Sequence, residues 1–256
     1  MSQFVQWSNF SKIAPYAELF RQGIVVTVLL SVFTVAIGFC IALILALMRM
    51  SNVRPFRALG LDKDGHMREG GPLVWISRFN PLSFLATAYV EILRSTPVIV
   101  QVFIIYYGVF GIVQLPSFQI FGFIKFSRFF PGVVALGMNS GAYLCEIMRA
   151  GIQSIDQGQT EAGRSLGLNF SQTMRLIIIP QAFKNVLPAL VNEFIVLIKE
   201  TSIVGYVGMS DLTRVANQMT SKLFDVFTPL LGIAFIYFVL TKVLSILLAK
   251  LERRLR

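Results

Sequence analysis

A run of 27 residues between Arg21 and Arg49 contains no charged side chain. A helix of about 20 apolar residues is long enough to cross the hydrocarbon core of a bilayer. Inside lipid, every backbone amide must find its hydrogen-bond partner within the protein, so a single segment of this kind is helical there. The run therefore predicts a transmembrane helix and excludes an ordinary soluble fold.

Four more apolar segments follow the first. The first of these four, at residues 83–110, contains Glu91, Arg94 and Pro97, so we expect that span to be long and kinked. The five predicted spans are residues 21–49, 83–110, 129–149, 180–201 and 226–250. The sequence thus predicts an all-α membrane protein with about five transmembrane helices, and an odd number places the two termini on opposite sides of the membrane.

The composition supports an integral membrane protein, with 55% hydrophobic residues, 14% charged residues and 23 phenylalanines. The first twenty residues lack the pattern of a cleavable signal peptide, so we expect the first span to remain in the mature protein. Cys40 and Cys145 lie in apolar segments, where a cysteine is usually a small packing residue. A single histidine, His66, gives no ligand spacing, so no metal site is expected.

Lys and Arg are distributed unevenly between the connecting segments. One alternating set of segments carries fourteen of them and the other set carries six. The positive-inside rule then places the loop at 49–80, the loop at 155–180 and the tail at 252–256 in the cytoplasm, with the segment 1–20 outside. The net charge of +10 is explained by this topology and by anionic lipid, so no nucleic-acid partner is expected.

The second cytoplasmic loop has the local sequence of a helix, a turn and another helix. We expect a short helix over residues 155–166, ended by Gly167, which adopts a left-handed conformation without a Cβ penalty. Asn169 with Gln172 three residues later has the spacing of a capping box. Pro180 falls where the second helix meets the next span, so the backbone is expected to bend there.

This loop resembles the EAA loop of ABC importer permeases, whose pattern is E-A-A, three residues, Gly, nine residues and I-x-L-P. The matching residues are Glu161, Ala162, Gly163, Gly167, Ile177, Ile179 and Pro180. Gly163 replaces the third alanine and Ile179 the leucine. Three other segments, residues 89–101, 139–154 and 188–204, resemble stretches of the polar amino acid branch of the same family.

The resemblance implies a type I ABC importer permease domain over residues 21–251, in the cytoplasmic membrane of a prokaryote. Its implied partners are two ATPase subunits, a second identical or homologous permease and an extracytoplasmic amino-acid-binding protein. The residues implied to couple to the ATPase are Glu161, Ala162, Gly163, Ser165, Leu166 and Gly167. The sequence contains no P-loop, so ATP and Mg are expected on the partner, with no cofactor and no catalytic residue in this chain.

Polar residues inside the spans are candidates for the substrate cavity, because a charge at the bilayer centre costs about 2.5–3.5 kcal/mol. An amino acid needs a cation for its carboxylate, which Arg94 or Lys199 can supply, and an anion for its ammonium, which Glu193 can supply. The expected cavity residues are Arg94, Asn139, Tyr143, Glu193 and Lys199. The alternative is that such residues form interhelical pairs, and for Glu91 with Arg94 both interpretations stay open.

Glu146 and Arg149 lie at the cytoplasmic end of the third span, so we expect them, with Pro180, to support the loop or a gate. A different class of function, an ion-coupled secondary transporter or channel that works without ATP, remains the alternative. The inverted repeats typical of that class are not evident in the sequence. The sequence does not specify which amino acid is carried.

Overall fold

The computed structural model describes residue 11 and residues 13–51, 53–60 and 71–255, most of them helical. The α-helices are α1 (Ala17–Met50), α2 (Pro72–Arg78), α3 (Pro81–Ser95), α4 (Val98–Phe103), α5 (Phe126–Gln153), α6 (Gln157–Ser165), α7 (Phe170–Thr173), α8 (Ile179–Glu200), α9 (Leu212–Leu223) and α10 (Phe227–Leu255). Stretches of π-helix extend α4 (Ile104–Val109) and join α7 to α8 (Met174–Ile178). Short 3-10 helices occur at Ala14–Tyr16, Arg57–Gly60 and Thr201–Val207.

Helices α1 and α5 form the centre of the bundle and run parallel to each other. The rings of Phe33 and Phe129 meet at one end with centroids 5.9 Å apart. The backbones approach closely further along, where a Cβ on Gly141 would lie 2.7 Å from Cγ2 of Ile41. Small residues allow such close helix contact in membrane proteins. Two long helices that run parallel require the chain between them to return along the bundle.

The return path is a broken helix. Helices α3 and α4 meet at an angle of 109°, and Thr96 between them has an extended backbone, as expected before Pro97. Ala86 of α3 packs in the same cluster as Cys145 near the end of α5. Phe110, after α4, meets the ring of Phe130 near the start of α5, with centroids 5.6 Å apart. The predicted kinked segment at 83–110 therefore exists, but as two helices that together extend along α5.

The remaining helices complete the bundle around α1 and α5. Helix α8 runs antiparallel to α5, because Val186 near its start contacts Gly151 near the end of α5. The 3-10 helix after α8 packs instead with Val133, near the start of α5. Helices α9 and α10 pack against the N-terminal part of α1 around Phe20 and Leu212. A hairpin of Gln119–Ile120 with Ile124–Lys125 precedes α5, and the sequence analysis had not predicted it.

Two helices in the described part of the chain are long and apolar enough to cross a membrane, Ala14–Met50 and Phe227–Lys250, and the bent α3–α4 pair would be a third. The predicted spans at 129–149 and 180–201 also form long helices, α5 and α8, of 28 and 22 residues. These two are less apolar because they carry charged residues. The structure is thus a helical membrane bundle, and the count of five spans stays a prediction.

Candidate functional site

The segment between α5 and α8 carries the first candidate site, a short exposed helix held by caps at both ends. Asp156 caps α6, and its carboxylate accepts a hydrogen bond from the Gly158 amide at 2.7 Å. The helix ends at Gly167, whose φ of +84° lies in the left-handed region. The Leu168 amide then donates to the Gly163 carbonyl at 3.2 Å. The predicted end of this helix at Gly167 is confirmed, and its geometry is a glycine C-cap.

The following turn is closed by the predicted capping box, which is confirmed. The Gln172 amide donates to Oδ1 of Asn169, and the Asn169 amide donates to Oε1 of Gln172, both at 2.9 Å. Helix α6 crosses α7 at Gly163, where a Cβ would lie 2.8 Å from Cγ2 of Thr173 and 3.0 Å from Cδ1 of Ile177. The substitution of alanine by glycine in the motif thus has a structural reason, since α7 occupies the space of a methyl group.

The face of α6 opposite Gly163 is unoccupied. Glu161, Ala162 and Ser165 are exposed on it, and Leu166 at its end is 80% exposed. The Ser165 hydroxyl donates back to the Glu161 carbonyl at 2.9 Å, so it is satisfied within the helix. A rigid helix that presents an acidic group and an exposed leucine is suited to fit a groove on another protein.

The base of this segment is tied to the bundle where α5 ends and α8 begins. The Asn185 side chain of α8 donates to the Ser154 hydroxyl at 2.9 Å. The buried Gly151 contacts Val186 so closely that an added Cβ would lie 1.9 Å from Cγ2 of Val186. Pro180 follows the π-helical stretch that joins α7 to α8. A proline cannot donate the helical hydrogen bond, and a π-helical turn accommodates that gap.

A second candidate site is a charged cleft of about 730 Å³ between α1, α3 and α5. This volume lies in the range of small-molecule sites. Its walls are formed by Arg49, Ser83, Thr87, Val90, Glu91, Arg94, Ser95, Tyr143, Glu146 and Arg149. Of the predicted cavity residues, Arg94 and Tyr143 lie in this cleft together with the predicted gate residues Glu146 and Arg149.

Glu146 joins two arginines at one end of the cleft. Its Oε2 accepts from Nη1 of Arg49 at 2.8 Å, which links α5 to the end of α1. Its Oε1 accepts from Nε of Arg149 at 2.8 Å and also from Nη2 of the same residue. Arg149 further donates to Gln153 at 2.8 Å. Because both oxygens of Glu146 are engaged by arginines of the protein, this carboxylate fixes the helices and is not free for a ligand.

Arg94 and Glu91 differ from that cluster because both lack an ion-pair partner in the described part of the chain. The Arg94 guanidinium lies over the Tyr143 ring, with Cζ 5.4 Å from the ring centroid. A cation–π contact uses the charge of the guanidinium but none of its N–H donors as a paired hydrogen bond, so they stay available for a carboxylate. The pairing of Glu91 with Arg94, left open by the sequence, is not present. The cleft therefore offers one cation and one anion for a ligand.

Asn139 lies behind the cleft and is only 4% exposed. Its side-chain amide donates to Oε1 of Gln101 at 2.9 Å. Gln101 in turn donates to the Leu93 carbonyl at 2.7 Å and to the Thr96 hydroxyl at 2.8 Å. This network satisfies the carbonyls that the break between α3 and α4 leaves without a helical partner. Asn139 does not line the cleft, and a substrate contact by this residue stays a prediction.

Glu193 and Lys199 lie on α8, outside the cleft walls. Glu193 is half-buried and Lys199 is exposed, and their contact with substrate stays a prediction. The sequence did not predict the ion pair of Arg49 with Glu146 or the hydrogen bonds of Gln101. Arg49 counted only toward the charge of a cytoplasmic loop, and Gln101 only as part of the segment 89–101. The available signal for Gln101 was an amide inside an apolar run, since such a group needs an internal partner in lipid.

A helical membrane bundle with a charged cleft and a capped, exposed helix has the parts that a membrane permease subunit needs. The chain belongs to the family of binding-protein-dependent transport system inner membrane components, whose model matches residues 71–256. It is the permease subunit of an ATP-driven ABC importer. This membership confirms the resemblance seen in the EAA-like loop.

Two curated relatives and two solved structures support this assignment. The chain is 35% identical over 248 residues to the arginine transport system permease protein ArtQ of Bacillus subtilis, with 97% of each chain covered. It is 42% identical over 180 residues to the probable glutamine ABC transporter permease protein GlnM of the same organism, covering 70% of this chain and 79% of GlnM.

Among solved structures, an amino acid ABC transporter crystallised with histidines matches with a TM-score of 0.77 and 40% identity, over 96% of this chain and 98% of that one. The inward-facing MetNI methionine ABC transporter matches with a TM-score of 0.66, over 94% of this chain and 98% of that one. At 18% identity the latter shows the fold alone.

Proposed function

We propose that this permease moves a polar amino acid across the cytoplasmic membrane of a prokaryote by alternating access. The observation that carries the proposal is the cleft, which is lined by the side chains of Arg94 and Glu91, neither of them in an ion pair with a described residue. The same chain exposes an EAA-like helix. The names of the relatives, which refer to arginine and glutamine transport, support an amino acid as the substrate class. Which amino acid is carried depends on the side-chain contacts and on the binding protein.

We propose five spans, formed by α1, the α3–α4 pair, α5, α8 and α10. Support comes from the directions of the helices, because α1 and α5 are parallel and α8 is antiparallel to them. If the bundle is embedded in a bilayer, each helix that runs from one end of the bundle to the other crosses that bilayer once. The charge asymmetry of the loops supports an orientation with the N-terminus outside and the C-terminus in the cytoplasm.

Helix α6 is proposed to bind a separate ATPase subunit, one for each of two permeases. Leu166 and the Glu161 carboxylate provide an apolar anchor and an acidic contact on a helix with little freedom to move relative to α7. A rigid connection of this kind transmits a displacement, whereas a flexible loop would absorb it. ATP binding would draw two such helices together and open the cavity outward, and hydrolysis would reset it.

A second permease is proposed to pack against α8. Asn185, Asn192 and Lys199 are exposed along this helix at intervals of seven residues, so they share one face. A polar stripe along a span is unfavourable against lipid and is expected to face a protein surface or a water-filled path. A second copy or a homologue placed there would enclose a path, with Glu193 and Lys199 at its wall. An extracytoplasmic binding protein would deliver the amino acid to its outer end.

In the cleft, Arg94 is proposed to bind the substrate carboxylate through its fork of N–H donors, and Glu91 to accept from the ammonium. Tyr143 is proposed to position the guanidinium through a cation–π contact. Glu146 and Arg149 hold the cytoplasmic end of α5 to α1 and so support the wall without binding the substrate. No ion gradient is required by this arrangement.

The test is reconstitution of the permease with its ATPase and binding protein in liposomes, with a panel of amino acids. We expect ATP-dependent uptake of one or a few polar amino acids. Arg94→Gln should raise the KM for uptake about 10- to 100-fold, from the loss of a charge-assisted hydrogen bond of about 1.5–3 kcal/mol. Arg94→Lys keeps the positive charge but not the two parallel N–H donors of the guanidinium, so its KM is expected to lie between those of wild type and Arg94→Gln.

Two results would contradict the proposal. Uptake that follows a proton or sodium gradient after the ATPase gene is deleted would place the chain among secondary transporters. An unchanged KM in Arg94→Gln would remove the cleft as the substrate site. Co-purification of the ATPase with wild type, but not with Glu161→Ala or Gly167→Val, would support the docking role of α6.

A further inference from the structure

The loop between α1 and α3 exposes a set of large apolar side chains that neither the fold nor the transport cycle uses. Helix α2 turns Val74 and Ser77 inward, where both are buried. Its other face is exposed, and Trp75 has 83% of its surface accessible. We call the exposed apolar set of this loop the loop face, which comprises Val53, Phe56, Leu59, Leu73, Trp75, Ile76 and Phe79.

The loop is held at the ends of two helices of the bundle. The Asn80 side chain donates to the Ser51 carbonyl at 2.5 Å and accepts from the Ser83 amide at 3.1 Å. This side chain therefore closes the base of the loop and caps α3 at once. Helix α2 packs against the 3-10 helix Arg57–Gly60. The loop face thus begins where α1 ends and α3 begins, at the level where a spanning helix leaves the hydrocarbon.

The loop face continues the lipid-facing surface of the bundle. The last turns of α1 expose Leu43, Ile44, Leu47 and Met50, and the chain passes from them directly to the loop. On the other side, Phe79 contacts Phe84 of α3 with ring centroids 5.6 Å apart. Phe84 and Leu85 are themselves more than half exposed. Exposed apolar side chains therefore occur on both spans next to the ends of the loop.

The charges of the loop match an anionic partner. Arg54, Arg57 and Arg78 are exposed beside the loop face. The sequence of the whole loop, residues 51–80, contains five Lys and Arg and three acidic residues, Asp62, Asp64 and Glu69, so its net charge is +2. The acidic residues all lie outside residues 51, 53–60 and 71–80, the parts of the loop that the structure describes. Tryptophan with arginines around an apolar face is the composition of segments that lie in the headgroup region of a bilayer. An anionic leaflet attracts such basic residues.

We propose that this loop is a membrane-surface anchor, which inserts the loop face into the cytoplasmic leaflet and binds anionic headgroups with Arg54, Arg57 and Arg78. The inference rests on the orientation given under the proposed function and does not depend on the substrate. The anchor would hold the ends of α1 and α3, which form two walls of the cleft, at a fixed depth while α6 moves with the ATPase. The other possible occupant, the ATPase itself, is an outcome of the test.

The chain contains two tryptophans, Trp7 and Trp75, so Trp7→Phe leaves Trp75 as the only tryptophan, which is excited selectively over the seven tyrosines at long wavelength. The full-length variant would be reconstituted in phosphatidylglycerol vesicles that contain lipids brominated near the headgroup or near the chain ends. We expect strong quenching by bromine near the headgroup, weaker quenching by bromine near the chain ends and little quenching by aqueous iodide. Vesicles of phosphatidylcholine alone should show less lipid quenching and more iodide quenching.

Charge removal gives the matched comparison. Each basic residue favours the bound state about fivefold, so replacing Arg54, Arg57 and Arg78 with Gln should reduce the ratio of inserted to exposed loop by about a hundredfold. Iodide quenching of Trp75 should then rise to the level of a solvent-exposed tryptophan. Arg253→Gln, which removes an exposed charge from the C-terminal tail, is the control and should leave both quenching profiles unchanged.

Trp75 that is quenched by iodide but not by brominated lipid would overturn the proposal. Protection from iodide that requires added ATPase would assign the loop face to the ATPase instead. In vesicles selected so that the N-terminal segment faces outward, iodide access to Trp75 from the outer side would refute the orientation together with the anchor. Amino acid uptake by the permease with its ATPase and binding protein is measured in parallel. If no ATP-dependent uptake is found while brominated lipid still quenches Trp75, the proposed function is contradicted and the anchor stands.

Discussion

Gly151 is the position where a single added methyl group tests how the coupling segment is joined to the bundle. It lies near the end of α5, three residues before Ser154, and faces Val186 at the start of α8. A Cβ on Gly151 would lie 1.9 Å from Cγ2 and 3.3 Å from Cβ of Val186. A β-branched side chain in a helix has one strongly preferred rotamer, so Val186 cannot turn away freely. Gly151→Ala must therefore push α5 and α8 apart.

Overpacking of this kind costs about 1–3 kcal/mol, which for a chain of this length corresponds to a fall in Tm of roughly 2–10 °C. The displacement occurs where α6 is attached, so coupling should suffer as well. The assays are the Tm of the purified complex and the ratio of amino acid transported to ATP hydrolysed. Gly151→Ala should lower both, because α6 would no longer transmit its displacement to α5 and α8.

Val186→Ala provides the rescue and Gly232→Ala the control. Removal of the two valine methyl groups opens the space that the new Cβ needs, so the double variant should match Val186→Ala alone. The coupling energy between the two sites then equals the cost of Gly151→Ala, about 1–3 kcal/mol. A Cβ on Gly232 in α10 meets no atom within 4 Å, and alanine has the higher helix propensity, so that variant should not lower the Tm. An unchanged Tm in Gly151→Ala, or no rescue in the double variant, would refute the argument.

Three further outcomes can be measured. Gln101→Ala and Asn139→Ala should each lower the free energy of unfolding by about 1–3 kcal/mol. The double variant should cost less than the sum of the two, because each single change leaves the other amide unpaired. Additive losses in Tm would contradict the network. Gly167→Val should reduce ATPase association more than Gly167→Asn, since a β-branched residue tolerates the positive φ less well, and equal association would argue against the left-handed cap. Burial raises the pKa of Asp211, which caps α9 outside the proposed spans, to about 6. Because this folded-state pKa exceeds the unfolded value of about 3.9, stability should fall as the pH rises between those values. Asp211→Asn keeps only one of the two cap hydrogen bonds from the Thr213 and Arg214 amides, so it should lower the Tm at every pH but remove the fall of Tm with pH. An unaltered pH profile would count against this role of Asp211.

The coupling segment shows how far local sequence can be followed. The end of α6 at Gly167 and the capping box of Asn169 with Gln172 were predicted correctly, because both depend on residues three or four positions apart. The contact that makes Gly163 necessary was not predictable in this way. Thr173 and Ile177 reach it only after the turn brings α7 back across α6.

The sequence predicted only some of the residues that line the cleft, because local patterns do not show how two helices face each other. Charged and polar side chains inside apolar spans mark a pathway; this predicts Arg94 as a charge and Tyr143 as part of a polar patch. Their partnership, and the freedom of Glu91, depend on how α3 faces α5. Asn139 looks like a pathway residue in the sequence, but the break after α3 places Gln101 and the Leu93 carbonyl within its reach.

Composition, the spacing of charges and short caps specify the class of this protein, its order of helices and the shape of its exposed coupling helix, because these follow from the solvent and from neighbours along the chain. The parallel packing of α1 with α5, the 109° bend at Thr96 and Pro97, and the pairing of Arg49 with Glu146 follow only from the tertiary structure. Each of these joins residues far apart in the chain. Helices in lipid gain little from hydrophobic burial, so their association depends on close fit and on satisfied polar groups, which no local pattern encodes.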